Sequence, residues 1–349
     1  MTHAVTYAVT QAVTQGMVAL DALDLARWQF GITTVYHFFF VPLTIGLSLF
    51  VAIVQTRYRY NEATGRAELT DFVAVLTNPA LAGAFPHVIT SAWLTAAGLV
   101  LGVCVWHLYR SGRDDADRSR YTPEAVGAYR SGAMFAATLA ICAGLLSIIS
   151  GDVQGKVMTE QQPMKMAIAE GLYETTTGPA GLSLLTIGSL DGQEELFSIR
   201  IPGLLSYLAT GSFTEPVEGI DDIRAQQEAL YSSTPEAVTY SSTGYSPNVP
   251  VTYWSFRFMI FAGLVVCGVA VFVRSYLKAS PRARLGRGWA AVAVALPLMP
   301  LMANSAGWIF TEMGRQPWAV FGLMTTENAV SPGVSVAEVA TSLTVLTLL

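Results

Sequence analysis

Apolar positions along this chain fall into long blocks, not into the one-sided stripes of a surface helix. Five blocks, Thr33–Gln55, Leu81–Tyr109, Ser131–Ser150, Val251–Phe272 and Trp289–Trp308, are mostly apolar. Each reaches or approaches the ~20 residues that a helix needs to cross a bilayer. A sixth, Val336–Leu349, is too short to cross unaided. Between the third and fourth blocks, Gly151–Pro250 is rich in Gly, Pro, Ser, Thr and acids but keeps two apolar patches, Leu182–Leu185 and Ile201–Leu208. That length and those patches predict an ordered extramembrane domain, not a linker. The pattern is all-α: a polytopic transmembrane helix bundle of five or six apolar segments with one large extracytoplasmic loop domain. It divides into an N-terminal extension (1–26), a first group of membrane helices (27–150), the loop domain (151–250) and a second group of membrane helices (251–349). No internal repeat or low-complexity tract is present.

Composition sharpens this picture. Only 13% of the 349 residues are charged and 52% are hydrophobic. Soluble domains carry about a quarter charged residues, so a cytosolic globular enzyme and a disordered chain are both excluded. A net charge of −5 leaves no basic face for nucleic acid. Charge also sets orientation. Arg110, Arg113, Arg118, Arg120 and Arg130 cluster in one connection, and Arg274, Lys278, Arg282, Arg284 and Arg287 in another. The positive-inside rule makes both cytoplasmic and puts the loop domain, with 13 acids against 4 bases, on the far side. Cys104, Cys142 and Cys267 each lie inside an apolar run with no CxxC pair, which reads as three buried structural thiols. Residues 1–25 lack the basic cluster of a signal peptide, and Met17 offers a second start.

Ligating or ionisable residues at membrane depth are costly and mark candidate chemistry. His37 lies inside the first block. His87, Met259 and Glu312 fall near the outer ends of theirs, with Arg257 two residues before Met259. At 1.5 Å per residue the last three ligand types converge on one depth. Histidine, methionine and a carboxylate between helices suit axial ligation of haem iron, with Arg257 available to a propionate. An ion-coupled transporter fits the same spacing, and a packing role fits each residue singly: a Met at helical spacing is usually core, and Glu312 can pair with Arg315. His3 and His107 read as a terminal and an interface residue.

Five motifs then resemble one family in order. Arg27-Trp28-Gln29-Phe30-Gly31 through Gly46, Phe85-Pro86-His87, Gly151-Asp152-Val153-Gln154-Gly155-Lys156, Trp254-Ser255-Phe256-Arg257-Phe258-Met259 and Gly314-Arg315-Gln316-Pro317-Trp318 are similar to subunit I of cytochrome bd quinol oxidases. The resemblance implies a multi-pass protein of the bacterial cytoplasmic membrane that oxidises quinol at the outer face and reduces dioxygen to water. It assigns His87 and Met259 to the two axial positions of a low-spin haem b. His37 and Glu312 go to the pair formed by a high-spin haem b and haem d, and Arg257 to electrostatic support of the low-spin haem. It matches Lys165 and Glu170 to quinol-binding residues, although five positions apart on a helix they would point about 140° from each other. It implies as partners a subunit II and a small single-helix subunit.

The chain also departs from that family. After Gln55-Thr56 it passes directly into Arg57-Tyr58-Arg59-Tyr60 and Gly65-Arg66-Ala67-Glu68-Leu69, where relatives have about three further helices carrying intramembrane glutamates. By the same comparison the C-terminus falls inside the last helix. Residues 57–81 are too charged to cross, so removing three spans either inverts the first helix or leaves it unstable, separating His37 from Glu312. The expectation is a shortened subunit I with an impaired oxygen site. The alternatives are a haem b electron-transfer membrane protein without oxidase activity, or a non-functional gene fragment.

Overall fold

A computed structural model describes residues 28–29, 58–61, 66–69, 79–113, 121–280, 285–330 and 333–348. His37 and the first apolar block lie outside these residues. Where the charged segment after Gln55 was expected to stay out of the membrane, β1 (Tyr58–Asn61) and β2 (Arg66–Leu69) form an antiparallel hairpin. Four long helices follow in two pairs: α1 (Pro79–Ser111) and α2 (Pro123–Gln161), then α6 (Val249–Ala279) and α7 (Gly288–Met313). These four are long and apolar enough to cross a membrane. Between the pairs lie α3 (Pro163–Ala169), β3 (Leu182–Gly188), β4 (Glu195–Ile201), α4 (Leu204–Thr210) and α5 (Ile220–Tyr231). After α7 come the short hairpin β5 (Trp318–Val320) and β6 (Met324–Thr325), and α8 (Val336–Leu348). The Gln29 amide donates to Ser342 Oγ of α8 at 2.7 Å.

Local chemistry sets the helix ends. Thr122 accepts from Ala125 N–H at 3.2 Å, ahead of Pro123 and Glu124, and starts α2. Asn248 does the same for α6 through Val251 N–H at 3.0 Å, with Pro250 in the first turn. Arg130 of α2 donates to the carbonyls of Leu277 and Ser280, occupying acceptors that the end of α6 leaves open. The helices outrun the apolar blocks: α2 continues from Ser150 to Gln161, so residues 151–161 are helix and not the opening of a loop domain.

Small residues draw the helices together. Ala133, Ala136, Ala137, Ala140 and Ala143 of α2 are all fully buried, a stripe that lets backbones approach. Cys104 Sγ rests against Gly132 and Cys267 Sγ against Gly144, as structural thiols do. Cys142, expected to be buried, instead faces outward from α2. Lipid-exposed positions stay apolar, with Phe135 70%, Phe261 62% and Ile149 61% exposed, which is how a membrane helix differs from an amphipathic one.

The contact of α1 with α7 has a specific cause. Pro297 and Pro300 lie inside α7 and carry no N–H, so the carbonyls four residues back, of Ala293 and Leu296, have no donor within the helix. Those oxygens meet the glycines of Gly98-Leu99-Val100-Leu101-Gly102. A Cβ at Gly98 would lie 2.6 Å from Leu296 O, and one at Gly102 would lie 2.7 Å from Ala293 O. Glycine is the residue that permits this approach, in which Cα–H groups can face the freed carbonyls.

Candidate functional site

A cavity of about 950 Å³ opens between the four long helices at the end that carries α3 and β3. Its walls are mainly apolar, and His87, Met259, Arg257, Glu312, Lys165 and Glu170 all line it. They come from four stretches of chain, α1, α3 with its cap, α6 and α7, brought together by the helix pairing. His87 and Met259 lie two to three turns inside α1 and α6, and Glu312 sits in the last turn of α7; the Met259 sulfur lies against Gly307, five residues or about 8 Å of helix rise from Glu312.

His87 is oriented by α2. Its Nδ1 lies 3.1 Å from Ser147 O and 3.3 Å from Ser150 Oγ. A backbone carbonyl can only accept, so this contact puts the proton on Nδ1 and leaves Nε2 as a lone-pair donor, the tautomer that binds metals. The ring also passes close to Gly151, where a Cβ would sit 3.3 Å from Cε1. Met259 is accommodated in the same manner, because a Cβ at Gly307 would lie 2.7 Å from its sulfur. Ser147, Ser150 and Gly307 escape sequence reasoning, since each matters only through a neighbour on another helix.

Arg257 points to a protein carboxylate. Its Nη2 donates to Glu170 Oε2 at 2.8 Å and to Ala169 O at 3.0 Å. The guanidinium also lies 5.1 Å from the Tyr253 ring centroid. Its Nε is buried and makes no hydrogen bond among the described residues, so one donor remains. Glu170 is 3% exposed. Ser183 N–H donates to the same Oε2 at 3.2 Å. Burial raises the Glu170 carboxyl above the ordinary carboxylate range, outweighing the opposing pull of Arg257.

Lys165 lies inside α3 and Glu170 caps its end, still in the helical region, so both line the cavity while making separate contacts. Gly171 then takes a positive φ of 55°, and the turn brings Glu170 under β3. Lys165 is buried too, donating to Thr311 O at 3.3 Å with Nζ 4.9 Å from the Phe310 ring centroid. Burial lowers its ammonium to about 8, against the attraction of Glu312.

Glu312 pairs with Arg315, whose Nη2 is 2.5 Å from Oε2, as the simplest reading of the sequence anticipated. His107 lies far from the cavity, stacked on Tyr129 at 4.3 Å and bonded to Tyr121 Oη at 2.9 Å. Among the described residues no group of three His, Cys, Asp or Glu could hold a bare metal ion. One imidazole and one thioether share the apolar cavity, each against a glycine, and could together hold a cofactor.

The model of a family described as cytochrome bd terminal oxidase subunit I matches residues 25–64 and 58–349. The two matches overlap at residues 58–64, just past the junction of Thr56 with Arg57. The chain is 34% identical to the cytochrome bd ubiquinol oxidase subunit 1 of Bacillus subtilis, over 84% of this chain and 58% of that protein. It is 23% identical to the cytochrome bd-II ubiquinol oxidase subunit 1 of Escherichia coli, over 89% and 90%. That alignment spans 477 positions, more than the 349 residues present here, so it contains long gaps. The bd oxidase from Geobacillus thermodenitrificans has a similar fold, with a TM-score of 0.66 and 25% identity over 87% of this chain and 62% of that one. The chain thus spans about three fifths of the Bacillus and Geobacillus proteins. Matched over most of its length, it belongs to the cytochrome bd terminal oxidase subunit I family.

Proposed function

We propose that this chain is a shortened subunit I of a bd-type quinol oxidase that retains the electron-entry site, and that His87 and Met259 are the axial ligands of a low-spin haem b. The observation that carries this reading is the shared cavity, where His87 presents Nε2 and the Met259 thioether is seated against Gly307. When bound, such a haem supplies a one-electron acceptor, and two filled axial positions favour electron transfer over oxygen binding. Arg257 contributes a fixed positive charge beside it, and its Nε is available to a propionate.

Lys165 and Glu170 form the quinol end of the site. Both are buried on the cavity wall. Glu170 accepts hydrogen bonds through Oε2 from Arg257 and Ser183, which leaves Oε1 to take a quinol proton. Its raised proton affinity suits that step, because a base that holds a proton more tightly accepts it more readily. The basic connections are the cytoplasmic ends of the bundle, and the α3–α5 region lies outside, in a bacterial cytoplasmic membrane. A subunit II and a small single-helix subunit are the partners.

The oxygen-reducing part is impaired on this reading. Glu312 is held by Arg315, and the split of the family match into residues 25–64 and 58–349 supports the loss of a stretch between them. This favours, as a second reading, a haem b electron-transfer protein without oxidase activity. Dithionite-reduced minus oxidised spectra of the purified chain test both. The expected result is a low-spin haem b signal that is lost in His87→Ala and in Met259→Ala, with no haem d band. A haem d band with quinol-dependent oxygen uptake would overturn the impairment. No haem signal at all would overturn the site.

A further inference from the structure

The β3–β4 hairpin is patterned inside out. Ser183 pairs across the strands with Arg200 and Thr186 with Ser198, and these polar residues face the protein. Ser183 Oγ bonds Thr186 Oγ1 at 2.8 Å and Tyr253 Oη at 3.0 Å, and Tyr253 Oη accepts from Thr186 N–H. Arg200 reaches Gly171 O and Glu195. The alternating pairs, Leu185 with Ile199 and Ile187 with Phe197, are apolar. Phe197, Ile199 and Ile187 are 51%, 47% and 43% exposed, and Leu184, beside the bulge, is 57% exposed. An antiparallel hairpin packed on one side ordinarily hides its apolar face and shows water its polar one. Here the order is reversed, and the exposed face carries no charge.

We propose that this hairpin lies in the outer lipid–water boundary with its apolar face against acyl chains, as a membrane-seated part of the region between α2 and α6. Three observations select lipid as the occupant. Tyr253, which anchors β3, is about one turn into α6 from Val249, and the next residue, Trp254, is 49% exposed, at the level where belt aromatics sit. Leu182 and Leu184 also line the cavity between the membrane helices, so the hairpin face is continuous with the apolar wall of the bundle. The acids Asp191, Glu194 and Glu195 gather at the turn, giving the hairpin a polar end. The sheet has only two strands, and whereas Ser183 and Thr186 of β3 give their N–H groups to Glu170 and Tyr253, β4 has no strand on its outer side among the described residues. Unpaired backbone groups are excluded from the hydrocarbon core, so the hairpin belongs at the boundary, where headgroups and water can satisfy them.

The test uses the full chain in vesicles of phosphatidylcholine and phosphatidylglycerol. Doping with a diazirine-bearing phosphatidylcholine, followed by illumination and peptide mapping, should place lipid adducts on β4 as well as on the four long helices. Adducts confined to the helices would overturn the proposal. Separately, in a background with the three native cysteines replaced by alanine, a nitroxide at Ile199→Cys is compared with one at Ala225→Cys on the exposed face of α5. The ratio of collisions with oxygen to collisions with a water-soluble nickel chelate should be several-fold higher at position 199. Equal ratios would mean that the face is wet. Exclusion of both reagents at 199 would mean that a protein, a second copy or another subunit, covers it. Either result refutes the lipid assignment, and neither depends on haem or quinol being bound.

Discussion

Arg257 and Glu170 are each the other's main polar partner, and both are largely out of water, 15% and 4% exposed at the side chain. Removing one member of such a pair strands the other. Arg257→Leu should therefore cost about 3–5 kcal/mol, measured by thermal or denaturant unfolding in detergent. The deficit should shrink as pH falls, because Glu170 can then be protonated. Arg257→Leu with Glu170→Leu should recover much of it. His87 provides a finer contrast. Ser150→Ala removes one contact with Nδ1 but leaves Ser147 O in place, so the tautomer and the expected haem signal should survive, whereas His87→Ala should abolish the signal. Lys165 gives a pH signature. Its folded value of about 8 lies below the ordinary lysine value of 10.5, so between those values the unfolded chain binds more protons. Stability from this residue should then rise with pH across that window, by at most about 1.4 kcal/mol per unit. Lys165→Met should flatten that part of the pH–stability curve.

Elements are where sequence and structure agree best and where their disagreements are instructive. The four described spans were legible because blocks of apolar residues need no partner to be recognised. Their ends were less so: α2 continues eleven residues beyond Ser150 through Asp152, Lys156 and Glu160, where hydropathy falls but helical hydrogen bonding persists. The cavity was legible as a list of ligand types, not as a geometry. The bond from His87 to Ser147 joins positions sixty apart, and that from Arg257 to Glu170 joins positions eighty-seven apart. Cys142 was misjudged because an apolar neighbourhood along a membrane helix does not say which side faces lipid. The α1–α7 contact supports a prediction at this scale. Gly98→Ala and Gly102→Ala push a methyl group against a carbonyl and should each cost about 1–3 kcal/mol. Leu99→Ala, at a position 51% exposed, should be close to neutral in the same melting experiment.

At the scale of the whole molecule, the cavity joins parts of the chain that are far apart in order. Its walls begin at Ala80 in α1 and are completed by Pro300 to Glu312 in α7. During synthesis the chain leaves the ribosome from the N-terminus, so His87 enters the membrane long before Gly307, the residue that seats Met259, has been made. Through that interval the imidazole gains α2, whose Ser147 orients it, and then α6, but the α7 wall is still missing. The chamber comes into being after the last long helix has been translated and docked through its proline-freed carbonyls onto Gly98 and Gly102. Any large group the chamber holds must therefore be loaded late, into an almost finished bundle. A chain arrested before α7 would display a correctly oriented histidine in a pocket open on the side that α7 closes.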